Sequence, residues 1–208
     1  MNKDINKYYD TLNLMIPIRY QYIKKIIFKY QNKEIVNAFK SKKVLDLGCG
    51  TGEFLKIFYD MGANCIGIDS FKNFKVKNFK KIRFINEDIY TYLNKNKNYK
   101  FDYIFCFEVI EHLFNPLHLL LQMSNVLNSK GTIFLSTPKR RPHFMWYKYH
   151  FHEFSQSELT NLFNRANLYI NNKTFKMSGR PLINYFKGIR PLLRLFIERK
   201  CLVQLSKK

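Results

Sequence analysis

The stretch that most constrains this chain is Lys43 to Phe54, KVLDLGCGTGEF. Val44, Leu45 and Leu47 form an apolar run around Asp46, the run breaks at Gly48, Gly50 and Gly52, and helix-compatible residues follow from Glu53 to Tyr59. This pattern predicts a buried parallel strand that turns through a glycine loop into a helix. The D-x-G-x-G-x-G spacing is not the G-x-G-x-x-G dinucleotide fingerprint. Nor is it a P-loop, which carries a lysine after its last glycine. Glycines allow positive φ and close approach of the backbone to a ligand, so Asp46, Gly48, Gly50 and Gly52 are candidate binding positions. A tight structural turn is the competing explanation.

Three further segments point the same way. Cys65 to Ser70 is a second short apolar strand ending at Asp69, where a doubly wound sheet can hold a pair of ribose hydroxyls. Ile82 to Ile89 reads as a third strand whose Asp88 can accept from an adenine amino group. Phe101 to Leu113, FDYIFCFEVIEHL, is a fourth strand running into a turn that bears Glu108, Glu111 and His112. If a helical turn begins there, these three share a face, and two carboxylates with an imidazole can hold a divalent ion. In the competing reading no ion is held, the glutamates cap the helix and the histidine reaches toward substrate.

As a set, these segments resemble the class I S-adenosylmethionine-dependent methyltransferases, from about Lys43 to Leu168. The resemblance implies an α/β fold with a doubly wound, mostly parallel seven-stranded sheet and helices on both faces. It also implies S-adenosylmethionine as cofactor, with Phe107 against its adenosine or methionyl portion. YYD at Tyr8 to Asp10, MIPIRYQYI at Met15 to Ile23 and MSGRPLINYFK at Met177 to Lys187 are similar to stretches of the ubiquinone-biosynthesis O-methyltransferases. That likeness implies that Arg19 pairs with the methionine carboxylate and that a polyprenylated catechol is the acceptor. Glu108, Glu111 and His112 match metal-ligand positions in that family and in the small-RNA 3′-terminal ribose methyltransferases, which implies a divalent cation such as magnesium. The chain is shorter than the ubiquinone family between Tyr8 and Pro17 and between Pro138 and His150, which bears on the acceptor more than on the cofactor.

At 208 residues and 25.2 kDa the chain is long enough for one well-buried domain. We expect a single methyltransferase domain over 1–208: a helical cover over 1–40, a cofactor-binding core over 41–170 and a basic segment over 171–208. Cys49, Cys65, Cys106 and Cys201 lack C-x-x-C spacing, so neither a disulfide framework nor a thiolate zinc site is indicated. Apolar runs are short and the N-terminus is charged, from which a cytoplasmic location is expected. The net charge of +21 suits RNA, DNA or an anionic membrane surface. Lysine outnumbers arginine, however, and arginine is the better residue for specific phosphate recognition, so composition alone explains the charge equally well. Residues 171–208 carry ten basic side chains against one acidic, interleaved with leucines, and can lie peripherally on an anionic membrane or pack on the sheet.

Phe71 to Lys81 alternates lysine and phenylalanine and reads as a connector covering the sheet edge rather than a stacking surface for nucleic acid. Pro116 to Leu127 predicts a helix with Leu117, Leu120, Leu121 and Leu127 on its buried side, and Gly131 to Ser136 a fifth strand begun by a turn at Ser129-Lys130. An aromatic and histidine-rich loop follows, in which His150, His152 and Glu153 can supply a general base or a further metal ligand. Ser155 and Glu158 form a capping box for the next helix. Leu168 to Met177 and Cys201 to Leu205 are the last strands, the latter antiparallel. Without a metal, His112 or a roof histidine, His150 or His152, is the candidate base. A sugar O-methyltransferase of surface-glycan assembly, an RNA ribose methyltransferase and a non-catalytic cofactor-binding scaffold are the competing functions.

Overall fold

A computed structural model of the chain describes residues 37–70, 82–142, 144, 146, 148–174 and 200–208. The expectations for the N-terminal helices and Arg19, for the Phe71 to Lys81 connector and for the MSGRPLINYFK stretch lie outside the described residues. Strands are ordered β3-β2-β1-β4-β5-β7-β6 across a seven-stranded sheet, mostly parallel with a few antiparallel strands. The chain divides into two compact units, Met1–Phe105 and Cys106–Lys208, with the boundary inside β4 (Phe101–Phe107).

In the first unit, β1 (Lys43–Leu47) pairs parallel with β2 (Asn64–Asp69), and β2 pairs parallel with β3 (Arg83–Asn86). Helix α1 (Glu53–Asp60) is amphipathic and buries Phe54, Leu55 and Phe58. Its aromatic face makes the core with Phe39 and Phe105. Phe58 stacks on Phe105 with ring centroids 4.6 Å apart, and Phe54 meets the same ring edge-on at 5.0 Å. Such pairs add to the large apolar area these rings remove from water. The third strand is shorter than its sequence suggests, because Asp88 leaves it to cap α2 (Ile89–Lys95).

In the second unit, the end of β4 leads through a single 3-10 turn, Ile110–His112, to α3 (Pro116–Val126). Asn115 caps α3 by accepting from the His118 amide at 3.0 Å, and Pro116 occupies the first turn, where its missing N–H costs nothing. The buried stripe is Pro116, Leu119, Leu120, Met123 and Val126; Leu121 is exposed. This corrects the expected stripe. The leucine-rich run supports two helical faces, and the sheet selects the one spaced i, i+3, i+4, i+7. The fifth strand, β5 (Leu127–Pro138), starts four residues earlier than expected and absorbs the expected turn. Gly131 lies within it, at a position where a Cβ would strike the Leu127 side chain at 2.7 Å. Helix α4 (Gln156–Arg165) begins at the capping box of Ser155 and Glu158. Strand β7 (Lys200–Lys207) runs antiparallel between β5 and β6 (Leu168–Thr174), with a register irregularity between Ile170 and Asn172.

Candidate functional site

The glycine loop of the first unit is held in a left-handed conformation, with φ of 71° at Gly48, 54° at Gly50 and 76° at Gly52. Any other residue would be strained at these angles. The amides of Gly48 and Cys49 donate to the Ile68 carbonyl at 2.8 and 3.1 Å, and the Gly50 amide donates to Asp69 Oδ2 at 2.9 Å. Asp69 thus fixes the loop itself, a role its position at the end of β2 did not announce. Asp46 is buried in β1, opposite Gly67 of β2. Burial and then the Asp46 charge push the Cys65 thiol up to about 12, and the same causes, with Asp69, push Cys49 higher still. Both sulfurs stay protonated and are poor nucleophiles. Asp88 is exposed, and its Oδ1 accepts from the amide and hydroxyl of Thr91 at 3.0 and 3.1 Å, so one of its oxygens serves as a helix cap.

In the second unit Phe107 is buried at the end of β4, and Glu108 follows in a left-handed conformation with φ of 56°. Its amide donates to the Ser136 carbonyl at 2.9 Å, while its Oε1 accepts from Ser136 Oγ at 2.8 Å. The left-handed residue breaks the helical path before the 3-10 turn begins. Glu108, Glu111 and His112 therefore do not share one helical face. The structure instead brings together Glu111, His112 and His150, whose donor atoms all lie within 4.8 Å of one another. Glu111 has no exposed surface; its Oε2 accepts from Thr137 Oγ1 at 3.1 Å, and its carbonyl accepts from the amides of Phe151 and His152 at 2.8 and 3.2 Å. Those two amide bonds tie the histidine-bearing loop to the turn after β4.

Both imidazoles are held through Nδ1. His112 Nδ1 lies 3.0 Å from the Tyr149 carbonyl, which can only accept, and His150 Nδ1 lies 3.1 Å from Glu153 Oε1. Because a carbonyl has no hydrogen to give, Nδ1 of His112 is the donor of that pair. Glu153 is 1% exposed and is gripped by Arg141: Nη2 meets Oε1, Nε meets Oε2 at 3.0 Å, and the Arg141 amide meets Oε2 at 3.2 Å. Burial would raise the Glu153 pKa, but the hydrogen bonds from Arg141 and His150 and the guanidinium charge outweigh it and hold the carboxyl below its usual value. Burial lowers the His150 pKa against the pull of Glu153, with His112 adding to the lowering, so the ring is neutral near pH 7. His152 is not part of this group. It stacks on Phe154 at 5.3 Å, and its Nε2 is buried with no hydrogen-bond partner. Phe114, 84% exposed, and Phe151 follow the two histidines of the group and touch at 5.4 Å. Sequence reasoning missed Arg141 as the counter-ion and Ser136 and Thr137 as carboxylate partners; consecutive hydroxyls at the end of a strand were the available signal.

Known proteins share both the sequence pattern and the fold. A family model described as a methyltransferase domain matches residues 20–172. A ubiquinone biosynthesis O-methyltransferase of Pelagibacter ubique is 31% identical over 140 residues, covering 64% of this chain and 58% of that protein. The Haemophilus ducreyi protein of the same name is 31% identical over 147 residues, covering 66% and 58%. This chain therefore spans less than two thirds of the length of those relatives. A solved S-adenosylmethionine-dependent methyltransferase from Archaeoglobus fulgidus superposes with a TM-score of 0.64 at 17% identity, covering 91% of this chain and 99% of that one. The sheet, the glycine loop and the matched span agree: the chain belongs to the methyltransferase domain family.

Proposed function

We propose that this protein transfers a methyl group from S-adenosylmethionine to a hydroxyl oxygen of a small molecule, with a catechol bearing an apolar chain as the preferred acceptor. The observation that carries this reading is the Glu111, His112 and His150 group, whose donor atoms converge within 4.8 Å while the Tyr149 carbonyl and Glu153 hold the two rings through Nδ1. An acceptor hydroxyl must lose its proton as the new carbon–oxygen bond forms, and a neutral imidazole is suited to take it at neutral pH. The left-handed glycine loop presents backbone rather than side chains, and Asp69 is the candidate partner for the cofactor ribose. Arg19, Asp46, Asp88 and Phe107 complete the proposed cofactor set. S-adenosylmethionine supplies an activated methyl, so the remaining work of the protein is to align acceptor, methyl and sulfur.

The donor set also fits a divalent ion. One buried carboxylate and two imidazoles suit manganese, iron or zinc better than magnesium, which prefers oxygen ligands and keeps its waters. Such an ion, held by Glu111, His112 and His150, would stabilise the acceptor oxyanion. Ubiquinone biosynthesis O-methyltransferase is the name carried by the relatives above, which supports a catechol. The net charge of +21 favours RNA as the second acceptor class.

Incubation with methyl-labelled S-adenosylmethionine and separate catechol, glycan and RNA acceptors, with and without chelator, tests these readings. Transfer to the catechol, lost in Glu111→Gln and His112→Ala while calorimetric cofactor binding persists, is the expected result. Label found only in RNA, with steep salt dependence, would replace the acceptor. No heat with S-adenosylmethionine or its demethylated product, from folded protein, would remove the function altogether.

A further inference from the structure

The Arg141–Glu153–His150 chain is not required by anything proposed above, and it is built with more contacts than a structural ion pair needs. Arg141 spends its side-chain Nε and Nη2 and its own backbone amide on one carboxylate. The Trp146 indole then donates to the Arg141 carbonyl at 2.8 Å. The Oε1 that meets Arg141 Nη2 also lies 3.1 Å from His150 Nδ1. Burying a charge is costly unless it is paired and hydrogen-bonded, and Arg141 supplies that pairing at both oxygens of Glu153. An ionised carboxylate has no hydrogen to give. It can only accept, and the ring nitrogen facing it must carry the proton.

We propose that Glu153, clamped by Arg141, is a positioning residue: it fixes His150 as the Nδ1–H tautomer, so that Nε2 is the atom His150 contributes to the group with Glu111 and His112. The catalytic consequence rests on the methyl-transfer reading, but the tautomer itself does not. A carboxylate behind a histidine in this way sets both the orientation and the basicity of the ring, whether the ring then binds a proton or an ion. His112 reaches the same tautomer through a backbone carbonyl, which no side-chain substitution can remove. The two imidazoles are therefore set by independent devices, and only that of His150 is open to mutation.

The test uses the full chain labelled with nitrogen-15, with long-range proton–nitrogen correlation of the histidine rings. Assignment comes from His112→Gln and His150→Gln. Wild type and Glu153→Asp are expected to show Nδ1–H at His150. Glu153→Gln keeps the volume but not the charge: Arg141 sets two donors on Oε2 and one on Oε1, so the amide oxygen is expected at the Oε2 position with the NH2 at Oε1 facing His150, and the ring is expected to switch to Nε2–H. His112 stays Nδ1–H throughout and reports that the loop is intact. Methyl transfer by Glu153→Gln should fall roughly 10- to 100-fold in kcat with KM for S-adenosylmethionine unchanged, and recover in part in Glu153→Asp. Nε2–H at His150 in wild type, or Nδ1–H retained in Glu153→Gln, overturns the proposal, the first of these even if the Gln variant does not fold. Undiminished transfer by Glu153→Gln overturns its catalytic part. A switched tautomer in a protein that methylates nothing supports the positioning role and removes the methyl-transfer reading instead.

Discussion

Replacing Gly52 by alanine separates the two demands that the glycine loop places on its last glycine. Gly52 has φ of 76°, and a Cβ built on it would collide with Cζ and Cε1 of Phe84. The left-handed conformation costs an L-residue about 1–2 kcal/mol. The collision is with the tip of a half-buried ring, which can swing aside at about 0.5–1.5 kcal/mol of off-rotamer strain. Gly52→Ala should therefore lose about 1.5–3.5 kcal/mol, which at about 2–4 °C per kcal/mol lowers Tm by about 3–14 °C. Adding Phe84→Ala isolates the steric part. The double variant should be about 1 kcal/mol more stable than the sum of the single losses, and the backbone part should survive. Thermal unfolding followed by circular dichroism measures all three proteins. Additivity within about 0.3 kcal/mol would refute the collision, and an unchanged Tm in Gly52→Ala would refute both arguments.

Gly67 offers a contrast, because its φ is not in the left-handed region while a Cβ would meet Cys49 Sγ, Leu55 Cδ1 and Phe84 Cδ1 at 2.8, 2.8 and 2.9 Å. Gly67→Ala should destabilise by overpacking alone, by about 1–3 kcal/mol, and a melting curve unaltered by it would count against the packing described for β2. Ser155→Ala removes the hydroxyl that accepts from the Glu158 amide at 3.3 Å and should lower Tm by about 2–4 °C through the loss of roughly 1 kcal/mol of capping; chemical denaturation should show the same loss at unchanged m-value. Acid should weaken the fold in stages. The folded pKa of His150 lies below 6.5, and those of Glu153 and Glu158 lie below 4.5, so unfolding takes up protons first below pH 6.5 and again below 4.5. Tm measured from pH 8 to 4 should be level above about pH 7 and fall in both windows; a rise between pH 7 and 6 would contradict the buried neutral His150.

The sequence carries the first unit's loop almost completely, because three glycines at alternate positions leave few backbone paths between a strand and a helix. The capping box was legible for the same reason: Ser155 and Glu158 interact locally, and their amides lie within three residues. What could not be read depends on distant partners. The stripe of α3 was misplaced because Pro116, Leu117, Leu119, Leu120 and Leu121 offer apolar surface on two sides, and only the sheet decides between them. The E-x-x-E-H spacing misled in a more instructive way. It assumes a helical turn from Glu108, whereas Glu108 adopts a left-handed backbone tied to Ser136, 28 residues away. His150 then joins Glu111 and His112 because the loop amides of Phe151 and His152 find the Glu111 carbonyl, a pairing with no trace in local pattern.

The placement of β7 has a consequence for how the second unit comes into being. Its residues are synthesised after β5 and β6, yet they fill the gap between them, with β5 on one side and β6 on the other. Until residues 200–207 leave the ribosome, β6 has no neighbour in the sheet and one edge of β5 lies open. An open edge is a template for mispairing, so a nascent chain stalled before Lys200 is the species most in need of a chaperone.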